Sequence, residues 1–326
     1  MKILVTGSSG HLGEALCRSL PSAGHEVIGC DILPSAFTDK VGDLADADFV
    51  LSCMEGVEVI IHSATLHKPH VVTHSKQDFI DANVSATLNL LQAAVDHQVK
   101  SFIYTSTTST FGDAMTPKPD GSAVWVTEDL VPVPKNIYGV TKLAAENLCA
   151  LYHRDHHLPC IILKTSRFFL EIDDDPAMRG IYSNDNIKAN EFLYRRVDIQ
   201  DAVDAHILAM KKASDIGFGK YIISAASPFL TDHLPMLNQD AALVVRSLFP
   251  DCQDVYDRLG WHMFDRISRV YRSDLAQSAL DWRPTVDFKY VLACLKSEKD
   301  YRSQLSLDVG IKGYHSEAYN NGPYPV

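Results

Sequence analysis

A chain of 326 residues, 46% of them hydrophobic, carries enough apolar material for one large core and a smaller second one. Its formal net charge of -11 argues against nucleic acid as a partner, because duplex binding draws its affinity from Lys and Arg neutralising phosphates. No apolar run reaches the length of a bilayer span, and the seven cysteines are scattered with no C-x-x-C pair and no signal peptide ahead of them. The expectation is a cytoplasmic protein with reduced thiols and no membrane partner.

In chain order, short apolar, β-branched runs at 3–6, 26–31, 57–63, 102–106 and 160–165 read as strands buried on both faces. Between them, residues 79–97 and 138–153 have helical periodicity with faces rich in Ala and Leu. Repeated strand-helix-strand units predict an α/β fold built on a doubly wound parallel sheet, which binds ligands outside the carboxyl ends of its strands. Residues 171–195 read as acidic and irregular, 197–210 as a helix, 220–224 as one more strand, and 240–248 and 273–280 as helices among turns. The chain thus divides into a nucleotide-binding domain, 1–168 plus 197–224, and a smaller, largely C-terminal substrate-binding domain, 169–196 plus 225–326. The stretch 310–326, rich in Gly, Tyr, Asn and Pro, reads as loose.

The first strand runs into T-G-S-S-G-H-L-G. Gly7 lets the chain turn off the strand, Gly10 lets backbone approach a pyrophosphate, and Gly13 allows close packing of helix on strand. The helix that follows points its free N–H groups at the phosphates. The second strand, E-V-I-G-C-D, closes on Asp31, a carboxylate placed to accept both ribose hydroxyls of adenosine and to repel a 2'-phosphate. No arginine lies between Asp31 and Lys40, so NAD is expected rather than NADP.

Further on, N-I-Y-G-V-T-K puts Tyr138 and Lys142 one helical turn apart on a shared face. A cation beside a phenol favours phenolate, so Lys142 is expected to lower the pKa of Tyr138 and fit it for acid-base work. By itself the spacing is common and as readily means a solvated lysine beside a half-buried tyrosine.

Together these residues resemble the extended short-chain dehydrogenase/reductase family, of the NAD-dependent epimerase/dehydratase type. The likeness rests on the G-x-x-G-x-x-G loop, G-D-L at 42–44, H-S-A-T at 62–65, D-A-N-V-S-A-T-L-N-L-L at 81–91 and Y-x-x-x-K, and covers about residues 1–225. It implies a Rossmann fold, an NAD cofactor and a Thr-Tyr-Lys active site. Tyr138 would be the general acid or base, Lys142 would hold the nicotinamide ribose, and Thr107 in F-I-Y-T-S-T-T-S-T-F-G would complete the set. Around the phosphates the resemblance adds Ser9, His11 and Leu12 to the three glycines, and around adenosine it adds Ile32, Asp43 and Leu44 to Asp31. Ser63, Ala64 and Thr65 would lie along the cofactor, Asn83 would support the active site, and Thr105, Ser106 and Thr165 would contact cofactor at the strand ends.

The family's dehydratases follow the catalytic threonine with Asp-Glu; here Thr108 and Ser109 stand there, which argues against dehydration. Its nucleotide-sugar epimerases carry an asparagine soon after the sixth strand to hold a diphosphate, whereas this chain has Arg167 near that position. Arg167 and Arg272 are candidates for an anionic group of a small-molecule substrate, with pairing of Arg167 to Glu171 or Asp173 as the alternative. His67 and Thr108 are further candidates to line the substrate site. The cluster H-R-D-H-H at 153–157 reads as a solvated helix end rather than a metal site.

Three functions stay open on this reading: an epimerase that keeps its NAD, a net dehydrogenase or ketone reductase, and a non-catalytic NAD(H) sensor. The resemblance also implies a homodimer through the helices 79–97 and 137–153, whose apolar residues Leu88, Leu91, Val95, Leu143, Leu148 and Leu151 look more than one face can spend.

Overall fold

The computed structural model describes residues 1–119 and 121–313. The last thirteen residues of the stretch read as loose lie outside the described residues. Among the described residues nine strands are formed: β1 (Lys2–Thr6), β2 (Glu26–Asp31), β3 (Lys40–Val41), β4 (Val59–His62), β5 (Ser101–Thr107), β6 (Val124–Val126), β7 (Cys160–Thr165), β8 (Phe218–Ile223) and β9 (Arg269–Tyr271). Seven make one sheet in the order β3-β2-β1-β4-β5-β7-β8, parallel at every pairing, and β6 pairs with β9 in a separate parallel ribbon. This is a doubly wound α/β fold, and the strand order reverses beside β1, where the loops after β1 and β4 diverge and leave a crevice.

Each face of the sheet is covered because its strands are apolar on both sides. Ile3, Val5, Ile103 and Leu163 pack under the helices His11–Ser19 and Ile199–Ile216, and Leu4, Ile60, Phe102 and Ile162 under Ala86–Asp96 and Ile137–His156. A third cluster, centred on Phe229, Leu237, Val270 and Val291, forms the core of the smaller unit. The helices Asp274–Leu280 and Gln304–Val309 close back on the sheet, burying Ala276, Leu280, Trp282 and Val309 in the first core, while Ala123 is buried in the second. The two units are therefore interleaved along the chain more than a simple division implies.

Residues 171–195 are not irregular. Helices form at Pro176–Ile181 and Asn184–Glu191. The start signals are in the sequence: Asp175 accepts from the Ala177 N–H at 2.9 Å ahead of a proline in the first turn, and Ser183 caps the second helix by accepting from Asn186 at 3.3 Å. Acidic composition hid them. The helix expected at 79–97 is a composite of Lys76–Ile80, one π-helical turn over Asp81–Ser85, and Ala86–Asp96. That wider turn carries Asn83, as π turns often carry functional residues.

Of the six apolar residues expected to be surplus on the two helices, Leu91 is buried, and Val95 and Leu148 pack against the core beneath. Leu88 and Leu151 remain exposed, joined by Val140. Among the described residues, no helix is long and apolar enough to cross a membrane. All seven cysteines are buried and free.

Candidate active site

The crevice opens into a cavity of 1240 Å³, larger than the ~300–1,000 Å³ that one drug-sized ligand occupies, so it has room for a dinucleotide and a second molecule. At one end is the glycine loop. Gly7 has φ +72, and a Cβ there would sit 2.8 Å from the Ala64 nitrogen; a Cβ at Gly13 would sit 1.9 Å from the Gly7 carbonyl oxygen. No side chain fits at either place, and the helix His11–Ser19 starts at Gly10 with no side-chain cap, leaving its first N–H groups for an anion. Asp31 is held at the end of β2 by the N–H groups of Ser9 (3.0 Å) and Leu33 (2.9 Å), its carboxylate on the cavity wall beside Ile32. The cradle and the carboxylate fit an adenine dinucleotide with free ribose hydroxyls. Asp31→Ser combined with Ile32→Arg is expected to relax the preference for NAD over NADP, read as dissociation constants by fluorescence titration; equal affinities in the unaltered protein would overturn this role for Asp31.

The loop after β4 is fixed from behind. Thr6 Oγ1 accepts from the N–H groups of Ser63 and Ala64, both at 3.1 Å. Asn83 Oδ1 accepts from the Leu66 N–H and the Thr65 hydroxyl at 2.9 Å, while its amide donates to the Leu66 carbonyl and to Thr141 Oγ1 at 3.0 Å. Asn83 is thus buried behind the wall and stitches the loop after β4 to the helix Ile137–His156; it does not line the cavity itself. Asp43 and Leu44 do line it, as do Ser9, His11, Leu12, Ser63, Ala64 and Thr65.

Asn136 caps the helix Ile137–His156 by accepting from the Gly139 N–H at 3.2 Å. That cap sets Tyr138 and Lys142 in the first turns, facing the end of β5. Thr107 ends β5 on the cavity wall, its hydroxyl beside the Tyr138 phenol. Lys142 Nζ donates to the Thr105 carbonyl at 2.7 Å and lies 4.1 Å from the centroid of the Tyr104 ring. The three residues of the expected active site are together.

Their electrostatics differ from expectation. Burial pushes the Tyr138 phenol up to about 12, against which the Thr107 hydroxyl pulls down. Burial likewise lowers Lys142 to about 7, with Glu146 opposing the fall. Desolvation dominates, so this pocket on its own favours the neutral phenol of Tyr138, and Lys142 does not make it a phenolate.

Glu146 was not singled out from the sequence. It lies one further turn along the helix, fully buried, and accepts from Ser106 Oγ and from Lys164 Nζ, both at 2.5 Å, with Lys220 at 3.3 Å. Lys164 also donates to Thr110 at 2.8 Å. The signals were a lysine inside the apolar run C-I-I-L-K-T and a carboxylate continuing the spacing Tyr138, Lys142, Glu146. Ser106 lines the cavity, but its hydroxyl is spent on Glu146 rather than offered to cofactor. Thr105 Oγ1 bonds His206 at 2.9 Å, and Thr165 Oγ1 donates to the Ser106 carbonyl at 3.0 Å.

On the substrate side, Thr108, His67 and Arg167 line the cavity. Arg167 is held by Asp173 (2.6 Å), Asp174 (2.7 Å) and Glu191 (3.1 Å), so the internal pairing prevails over a free anion site. Arg272 is a correction. It stands outside the cavity lining, stacked on Trp125 and bonded to Asp274 and to the carbonyls of Ser227 and Phe229. Sequence reasoning missed Arg195, Arg269 and Tyr271, which do line it. At 153–157, His153 bonds the Leu158 carbonyl and stacks on Phe218.

The sequence profile of the NAD dependent epimerase/dehydratase family matches residues 3–223. The chain belongs to that family. Among curated relatives, the protein described as an uncharacterized UDP-glucose epimerase, YtcB, of Bacillus subtilis (strain 168) is 35% identical over 191 residues, 52% of this chain and 56% of that protein. The 2-alkyl-3-oxoalkanoate reductase of Stenotrophomonas maltophilia (strain K279a) is 34% identical over 155 residues, 45% of this chain and 44% of that protein. The matches thus span about half the length of these relatives. The crystal structure of UDP-glucuronic acid 4-epimerase from Bacillus cereus in complex with UDP-glucuronic acid and NAD superposes with a TM-score of 0.62 at 22% identity, covering 92% of this chain and 98% of that one, which establishes the shared fold. The family's cofactor is NAD, in agreement with the cradle and Asp31.

Proposed function

We propose that this protein is an NAD-dependent oxidoreductase of epimerase type, moving a hydride at a secondary alcohol carbon of a sugar or sugar nucleotide. The observation that carries the reading is the meeting of Thr107, Tyr138 and Lys142 in the same cavity as the glycine cradle and Asp31. When bound, the nicotinamide ring supplies the hydride acceptor and, in its oxidised form, a positive charge. Thr107 positions the reacting oxygen. Tyr138 takes the hydroxyl proton as phenolate when the alcohol is oxidised and gives it back as phenol when the ketone is reduced; burial favours the phenol, so the base would form by loss of its proton to solvent, helped by that positive charge. Lys142 holds the ribose and fixes the Thr105 end of β5.

The test is incubation of NAD-loaded protein with UDP-glucose and UDP-galactose. Interconversion without net NADH is expected, and no hydride transfer with these or with a panel of other secondary alcohols would sink the reading. A second reading, net oxidation or reduction of a non-nucleotide substrate, is favoured by the commitment of Arg167 to three carboxylates, which leaves it poorly placed to hold a substrate diphosphate. Steady NADH production would select it.

A homodimer through the exposed faces of Ala86–Asp96 and Ile137–His156 belongs to the same proposal. Leu88, Val140 and Leu151 are the apolar residues left for a partner. Leu88→Glu is expected to shift the protein toward monomer in sedimentation. A stable, active monomer of the unaltered chain at micromolar concentration would remove the dimer.

A further inference from the structure

Among the described residues, the arginines on the cavity wall divide into three already answered by carboxylates and one that is not. Arg167, Arg195 and Arg196 face Asp173, Asp174 and Glu191, three charges against three, with Arg195 at 2.8 Å and Arg196 at 2.8 Å from Glu191. Lys68 pairs with Asp174, Lys312 with Glu14, and Lys135 stands 3.2 Å from Asp113. Lys188 is lowered to about 7, chiefly by burial, and donates to the Glu171 carbonyl. Arg269 differs. Its guanidinium reaches only neutral partners, Tyr271 Oη at 3.3 Å and Ser268 Oγ at 3.5 Å, with no carboxylate of the described residues in ion-pair contact. Its planar fork is left with donors for a two-pronged acceptor.

The neighbourhood is suited to negative charge. Ser268, Arg269 and Tyr271 all line the cavity from β9 and the residue before it, and they share it with Thr107 and Thr108. Burial would raise the Tyr271 phenol, yet Arg269, the Thr108 hydroxyl and Arg195 together hold it below its ordinary value. A position where a buried phenol ionises more easily than in water is one of positive potential.

We propose that Arg269, flanked by Ser268 and Tyr271, binds an acidic oxyanion group of the substrate, carboxylate or phosphate, at the end of the cavity where Thr107 and Tyr138 act. The substrate is then an acidic sugar derivative rather than a neutral hexose. This rests on the sugar-directed hydride transfer proposed above and adds the substrate's charge to it.

The experiment is calorimetric titration of NAD-loaded full-length protein with D-glucuronate, D-glucose 6-phosphate and D-glucose, on the unaltered chain and on Arg269→Gln. At least one acidic sugar is expected to bind ~10-fold or more tightly than glucose, and Arg269→Gln to lose that advantage, the size of one charge-assisted contact. Preference for glucuronate identifies a carboxylate, and preference for glucose 6-phosphate a phosphate. Unchanged NAD affinity and melting temperature in Arg269→Gln certify its fold, and Arg269→Lys should restore part of the binding. Equal binding of all three sugars, absence of binding, or a preference that survives Arg269→Gln overturns the subsite. The two proposals fail separately. Arg269-dependent binding without hydride transfer to or from NAD keeps the subsite and sinks the enzyme reading, whereas turnover of a neutral sugar untouched by Arg269→Gln does the reverse.

Discussion

Tyr138→Phe is expected to lower turnover by about 10²–10⁴-fold while leaving NAD affinity nearly unchanged. The ring keeps its place in the wall, so packing is conserved, and only the proton-carrying oxygen is lost. Thr107 retains a partner after the change, since its Oγ1 also accepts from the Ser109 N–H at 3.1 Å. The loss of stability should therefore stay near the ~1 kcal/mol of one hydrogen bond. Single-turnover hydride transfer and cofactor titration on the same preparation separate the two effects. Turnover close to the unaltered protein would remove Tyr138 from the chemistry.

The second large effect falls on stability. Glu146→Ala is expected to cost about 3–5 kcal/mol, because it strands the buried Lys164 ammonium without its carboxylate. Urea denaturation reads this as a lower midpoint. Replacing both partners, Glu146→Leu with Lys164→Met, should recover much of the loss, since the pair's removal also removes the cost of burying two charges. Glu146 also opposes the fall of the Lys142 pKa, so in any variant that folds without it Lys142 should titrate below about 7, and the ribose contact proposed for it should weaken at neutral pH. A Glu146→Ala protein as stable as the original would show that the network carries no net free energy.

What the sequence disclosed was what local chemistry dictates. Gly7 and Gly13 announce themselves because no other residue fits there, Asp31 because it closes a strand, and Tyr138 with Lys142 because one helical turn joins them. The sign of the Tyr138 shift was misjudged, since burial depends on β5 and on neighbours far along the chain. Arg167 looked available until the fold brought Glu191 to it. Arg269 and Tyr271 were silent for the same reason: they line the cavity from β9, which pairs with β6, and no sequence spacing announces that pairing. Asn83 was noticed, but only the π turn shows that it acts on the loop rather than on cofactor.

The ion pair between Lys312 and Glu14 spans 298 residues. Around it, the N–H groups of Lys312 and Gly313 donate to Glu171 at 3.0 and 3.3 Å, and Ile311, Lys312 and Gly313 form part of the wall that faces the phosphate loop. The loop leaves the ribosome 298 residues ahead of this section of its enclosure. At about 5–20 residues per second, roughly 15–60 s separate the two. Through that interval the growing chain holds a dinucleotide cradle with one side missing, so firm capture of cofactor is expected to be a late event in biogenesis and not a scaffold on which the nascent sheet assembles.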